Sequence, residues 1–239
     1  MLVHVKSDIG LVRGVNEDSY SCEPPHLFVV ADGMGGHAAG EIASSLAITT
    51  MNSYIQEHRS QAKSQEFLEQ AIVKANQTIY QLAQSKDEYN GMGTTVTAIY
   101  VEGDVIYWAH VGDSRLYLVR NGEFIQITND HSLVWELVQS GNMTKEEALI
   151  HPKRNMLTRA VGTGISLAID TGMIRWEADD LLLMCTDGLT NMVSEQEIYN
   201  LITNKEGDVK VIIDELIVEA NRAGGLDNIT AILIKNGDV

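Results

Sequence analysis

Carboxylates fall at breaks in regular structure along this chain of 239 residues. Glu17 and Asp18 precede an apolar run, Leu27 to Ala31, and Asp32 ends it. Asp113 follows Ala109-His110-Val111, Asp187 follows Leu181 to Cys185, and Asp227-Asn228 opens the last apolar run. Taken one at a time, each aspartate reads as a turn or cap residue, the usual role of an Asp-Gly pair. Taken together, Asp32, Asp187 and Asp227 read as a ligand set, because strand ends meeting at one mouth would line it with anionic oxygen. Such a cluster does not stay ionised without partners, since like charges raise each other's pKa. Hard divalent cations resolve the conflict, and oxygen donors without a cysteine or histidine set suit magnesium or manganese rather than zinc. The spacings match neither an EF-hand loop nor a His-Glu-x-x-His helix, and Gly33-Met34-Gly35-Gly36 lacks the Gly-Lys-Ser/Thr of a phosphate loop.

Holding those side chains together requires a layered frame, and the periodicities describe one. Leu2 to Val5 reads as a short strand and Ser7 to Gly10 as a turn. Ile42, Leu46, Met51 and Ile55, then Phe67, Ala71, Ala75, Ile79 and Leu82, keep helical spacing over 41–55 and 64–84. Two strand pairs follow, 94–101 with 104–111 through Glu102-Gly103, and 115–120 with 123–127 through Asn121-Gly122, a strong hairpin signal. Consecutive hairpins predict antiparallel sheet rather than a doubly wound parallel fold. Further strands are expected at 168–174, 181–185 and 229–234. Helices are expected after the capping box Thr144 to Glu147, after Ser194, and over 208–220 with Val209, Ile212, Leu216 and Ala220 on one face. The layered solution is a single α+β domain over 1–239, two sheets flanked by helices, with an insertion at about 138–165 across one end.

Charge narrows the partners. Seventeen Lys and Arg against 33 Asp and Glu leave −16, which argues against nucleic acid and suits an anionic substrate only where bound cations invert the local field. No apolar run reaches membrane-spanning length, and Met1 to Gly10 lacks a signal pattern. A cytoplasmic protein without membrane attachment is expected, with Cys22 and Cys185 as reduced thiols. No excess apolar stripe calls for a partner subunit, so a monomer is expected.

The order Arg-x-x-Asn-Glu-Asp, Asp-Gly-Met-Gly-Gly-His, Gly-Met-Gly-Thr-Thr, Val-Gly-Asp-Ser-Arg, Asp-His-Ser, His-Pro-x-x-Asn, Thr-Asp-Gly-Leu and Asp-Asn-Ile-Thr, from about Asp8 to Ile234, closely resembles the metal-dependent type 2C protein serine/threonine phosphatases. The bacterial stand-alone catalytic domains are the nearest likeness. The resemblance implies a four-layer α-β-β-α sandwich with Mn2+ or Mg2+, two ions in the core and a third in some relatives. It implies that Asp32 bridges two metals, with the Gly33 carbonyl on one and Asp187 and Asp227 on the other. Glu17 and Asp18 would hold metal-bound waters or ligate weakly, and Asp113 would help bind the third ion, sharing it with Asp187. Arg13 would receive the substrate phosphate, His37 would be the general acid, and Asn228 would orient a neighbouring carboxylate from behind. The implied reaction is hydrolysis of phosphoserine or phosphothreonine in proteins by a hydroxide bridging the metals, without a phosphoenzyme, opposing a bacterial serine/threonine kinase.

Plainer roles stand beside these. Arg13 reads alternatively as a surface ion pair, His37 as a turn cap, and Asp113 as the partner of Arg115. His110 and His131 read as hydrogen-bonded core or loop residues, and Asn16 as a turn residue. Trp135, at the base of the region that resembles the family's flap, either packs that base or fills a core hole. A catalytically silent phosphoprotein-binding module, or a phosphatase dedicated to a sigma-factor antagonist, are the competing functions.

Overall fold

The computed structural model describes residues 1–36, 39–58, 65–204 and 208–237. Its strands form two antiparallel sheets. One runs in the order β2 (Asp18–Glu23), β3 (Leu27–Met34), β5 (Val96–Glu102), β6 (Val105–Val111), β9 (Asp170–Arg175), with β4 (Gly93–Thr94) paired to the end of β3. The other runs β1 (Leu2–Asp8), β11 (Ile229–Lys235), β10 (Leu181–Cys185), β7 (Arg115–Arg120), β8 (Glu123–Gln126). Helices α1 (Ala39–His58) and α2 (Gln65–Ser85) cover the first sheet, and α6 (Glu195–Thr203) and α7 (Val209–Arg222) cover the second. Short helices α3 (Leu133–Gln139) and α4 (Lys145–Leu149) lie between β8 and β9, and α5 (Asp187–Thr190) follows β10.

The central strands read as continuous apolar runs because both faces are buried, and strand alternation sorts their side chains into different layers. On β3, Leu27, Val29 and Ala31 meet α1 and α2, while Phe28 and Val30 pack between the sheets. On β10, Leu183 and Cys185 face the outer helices, while Leu182 and Met184 face inward. On β11, Ile229, Ala231 and Leu233 face outward, and Ile232 and Ile234 inward. Three apolar layers between four layers of secondary structure make the expected α-β-β-α sandwich. The Asn121-Gly122 hairpin forms with φ of 52° and 80°, both left-handed as a tight two-residue turn demands.

Two strands depart from expectation. β2 was not anticipated: Asp18-Ser19-Tyr20-Ser21-Cys22-Glu23 has too few apolar residues to announce a strand, and its pairing along β3 makes it one. β1 runs on through Ser7 and Asp8, expected in a turn, because β11 pairs with it to Asp8↔Ile229. The helix expected over 64–84 is α2 over Gln65–Ser85, and Ser64 lies outside the described residues.

Candidate metal centre

The strand alternation that sorts the core also aims the carboxylates. Continuing the inward set on β3, Phe28 and Val30 lead to Asp32, and Asp18 stands opposite it on β2. On β10 the inward residues Leu182 and Met184 lead to Thr186, and on β11 Ile234 and Ile232 lead back to Thr230. The apolar layer between the sheets therefore ends in polar groups. Thr230 N–H donates to Thr186 Oγ1 at 3.0 Å, and that hydroxyl donates to Asp18 Oδ2 at 2.8 Å, a link from one sheet to the other.

Hydroxyl residues fix Asp32. Its N–H donates to Thr95 Oγ1 at 2.9 Å, and its carbonyl accepts from Thr94 Oγ1 and Thr95 N at 2.8 Å each. Thr95 Oγ1 also meets Ser114 Oγ at 2.8 Å, tying this strand end to the loop that carries Asp113. That loop is clamped from behind by His131, whose N–H donates to the Gly112 carbonyl at 2.7 Å and whose Nδ1 accepts the Gly112 N–H at 3.1 Å. Asp187 opens α5, with Asn191 Nδ2 donating to its Oδ2 at 2.9 Å. Gly188 lies so close to the Asn228 carbonyl that a Cβ would collide with it, and this approach sets Asp187 beside Asp227.

Asn228, only 4% exposed, ties in the remaining loop. Its Oδ1 accepts Glu17 N–H at 2.8 Å, and its Nδ2 donates to the carbonyls of Ile9 and Val15 at 3.0 Å each. Arg13, on that loop, pairs with Asp227, Nη2 to Oδ2 at 2.8 Å. A cleft of about 390 Å³ brings together Arg13, Glu17, Asp32, Gly33, Asp113, Asp187, Asp227 and Asn228. Asp18 is buried at its edge. His37 lies outside the described residues. Arg115 is committed to Asp130, through contacts of 2.7 and 2.9 Å, and among the described residues no ion pair joins it to Asp113. His110 is a core residue, bonded to Thr97 Oγ1 at 2.8 Å and to the Asn129 carbonyl at 3.1 Å, and burial pushes its pKa down to about 3.

The electrostatics fit divalent cations. Burial, then the charges of Asp18, Asp187, Asp113 and Asp227, hold the Asp32 carboxyl well above its ordinary range. Burial and Asp187 raise Asp113 likewise. Asp18 is pushed up to about 7 and Asp187 to about 6, burial leading in each case. Asp18 Oδ1 and Asp187 Oδ1 are buried with no hydrogen-bond partner, among the few such atoms of the described residues. Buried unpaired acceptors that repel one another are stable once cations sit among them. Among the described residues no three Asp, Glu, His or Cys side chains form a ready cage around one point. Magnesium-type sites, which take one or two carboxylates and keep several waters, do not require one.

The family model for protein phosphatase 2C matches residues 14–220. The chain belongs to this family. It is 38% identical over 242 residues to the serine/threonine phosphatase stp of Listeria innocua, covering 98% of this chain and 96% of that protein. The crystal structure of the Mycobacterium tuberculosis serine/threonine phosphatase PstP/Ppp superposes with a TM-score of 0.92 at 38% identity, covering 99% of each chain. The catalytic domain of the serine threonine protein phosphatase PstP in complex with two manganese ions superposes at 0.88, with 35% identity, over 99% of this chain and 98% of that one.

The sequence reasoning missed the supports of this phosphatase-family site. Thr95, Ser114 and Thr186 carry no charge, and only the Gly-Thr-Thr, Gly-Asp-Ser and Thr-Asp-Gly steps beside strand ends could have marked them.

Proposed function

We propose that this chain is a metal-dependent protein phosphatase hydrolysing phosphoserine and phosphothreonine, and that the carboxylates of the inter-sheet cleft are its metal ligands. The observation that carries the reading is the half-buried carboxylate cluster, two of whose oxygens are buried without a partner, at the mouth of a protein phosphatase 2C fold. Asp32, Asp187 and Asp227, with Asp18, Glu17, Asp113 and the Gly33 carbonyl, would hold Mn2+ or Mg2+, two ions in the core and a third at Asp113 and Asp187. Bound there, such cations polarise a phosphoryl group and lower the pKa of water.

The chain's own groups supply the rest. Arg13 sits on the rim, its side chain 46% exposed, where its planar fork can take two phosphate oxygens as Asp227 turns to a cation. The Thr94 and Thr95 hydroxyls hold the Asp32 backbone at the strand end, and Ser114 braces Thr95. Asn228 holds the Glu17 backbone against the start of β11. His37, three residues beyond Met34 at the end of β3, is assigned the protonation of the leaving serine or threonine oxygen. Residues 138 to 165 are assigned as a flap of this single catalytic domain.

Among the described residues no helix is long and apolar enough to cross a membrane. The reading includes a monomeric cytoplasmic enzyme that opposes a serine/threonine kinase, and the net charge of −16 argues against nucleic acid. In the deciding experiment a phosphothreonine peptide is incubated with manganese, with chelator, and with the Asp32→Ala variant. Phosphate release only in the first supports the reading; normal release by the variant would overturn it.

A further inference from the structure

A second groove, of about 290 Å³, opens beside the metal centre, and Asp113, Asn155 and Asp187 line both. Its far wall belongs to α3 and α4, where Val134, Trp135, Val138, Ala148 and Leu149 present apolar surface. Leu149 is 69% exposed. The Trp135 ring forms part of that wall, with Lys145 Nζ 5.5 Å from the ring centre and its indole N–H buried without a partner. Trp135 is thus neither plain core filling nor an isolated surface residue. Polarity is distributed unevenly: Arg115, Asp130 and Glu195 satisfy one another along the inner wall. At the rim, Lys145 and Arg154 have no carboxylate partner among the described residues.

We propose that this groove is a side-chain subsite for the phosphoprotein substrate, taking a large apolar residue that flanks the phosphorylated serine or threonine. An acidic residue beyond it would meet Lys145 and Arg154. The proposal rests on the phosphatase reading and adds a preference to it. Continuity with the carboxylate cleft names the occupant: a peptide whose phosphate lies in the cleft must leave along its walls, and this wall is the concave, apolar one. Its volume is at the lower end of small-molecule sites, which suits one or two side chains rather than a folded element. Lys145 and Arg154 matter because the molecule carries −16 overall and Asp113, Asp130, Asp187 and Glu195 line the groove itself, so an acidic residue is favoured only at that rim.

The test compares kcat/KM for phosphothreonine peptides in which leucine or alanine occupies each flanking position in turn, with p-nitrophenyl phosphate as a substrate that has no flanking residues. At one position leucine is expected to raise kcat/KM about tenfold over alanine, a typical discrimination for an apolar pocket. The leucine-to-alanine ratio should fall towards one in Trp135→Ala and in Leu149→Ser; taken within each enzyme, it cancels any general loss of activity. Leu149→Ser changes an exposed residue, so the test survives if Trp135→Ala folds poorly. No preferred position in the natural enzyme, or a preference that persists in both variants, overturns the proposal while turnover of p-nitrophenyl phosphate leaves the phosphatase reading intact. No turnover of any substrate in manganese removes both.

Discussion

Arg13 and Asn228 do different work on the same loop. Arg13 touches Asp227 through one guanidinium nitrogen at 2.8 Å, a contact a substrate phosphate would replace. Arg13→Ala should lower kcat/KM about 10- to 100-fold, the effect of losing charge-assisted hydrogen bonds of ~1.5–3 kcal/mol. Manganese binding, measured by calorimetry, should hold or tighten because Asp227 loses a competitor; clear weakening would mean that Arg13 is structural. The Asn228 side chain ties Glu17, Ile9 and Val15 to β11, while its backbone N–H donates to Asp227 Oδ1 at 2.8 Å. Asn228→Ala should therefore weaken manganese about 10- to 100-fold, the usual effect of removing a support behind a ligand, and unchanged affinity would count against that role. That Asp32, Asp187 and Asp227 line one cleft was legible in the sequence, because carboxylates at the ends of apolar runs are conspicuous. Thr95, Ser114 and Thr186 were not, since a hydroxyl becomes a support only when another strand is known to lie beside it.

At the level of elements, the site depends on how closely two backbones approach. Gly188 at α5 and the Asn228 carbonyl before β11 leave no room for a Cβ, whereas Gly14 has open space around it. Gly188→Ala should cost about 1–3 kcal/mol through overpacking, a fall in Tm of roughly 2–12 °C for a chain of this size. Gly14→Ala should stay within about 0.5 kcal/mol. Calorimetry of both variants checks the contrast, and equal Tm values would refute it. The helices and hairpins were legible because their periodicity or turn chemistry is local, as at Asn121-Gly122. β2 was not, because Ser19, Ser21 and Glu23 are made strand residues by β3 rather than by their own preference. Its consequence is functional, for β2 is what sets Asp18 opposite Asp32.

For the whole molecule, the cluster links stability to protons and cations. Asp18 and Asp187 are raised from 3.8 to about 7 and about 6 in the folded chain, so the metal-free fold holds more protons than the unfolded chain between about pH 4 and 7. By linkage its stability falls as pH rises through that window, and Asp32 and Asp113, also raised, add to the fall in the same direction. Tm in chelator should therefore be lower at about pH 8 than at about pH 5. Manganese at about a hundred times its Kd should add ~2.7 kcal/mol, some 5–11 °C, at the higher pH. A metal-free Tm that rises across this window would contradict the cluster's electrostatics. The pairing of β1 with β11 has a separate practical meaning. Leu2↔Lys235 lies at one end of the ladder and Asp8↔Ile229 at the other, next to the cleft, and the Met1 amino group reaches the Gly237 carbonyl at 2.7 Å. Both ends of the described chain emerge side by side on the side remote from the cleft, so tethering it there to a bead or a scaffold leaves the mouth facing outward.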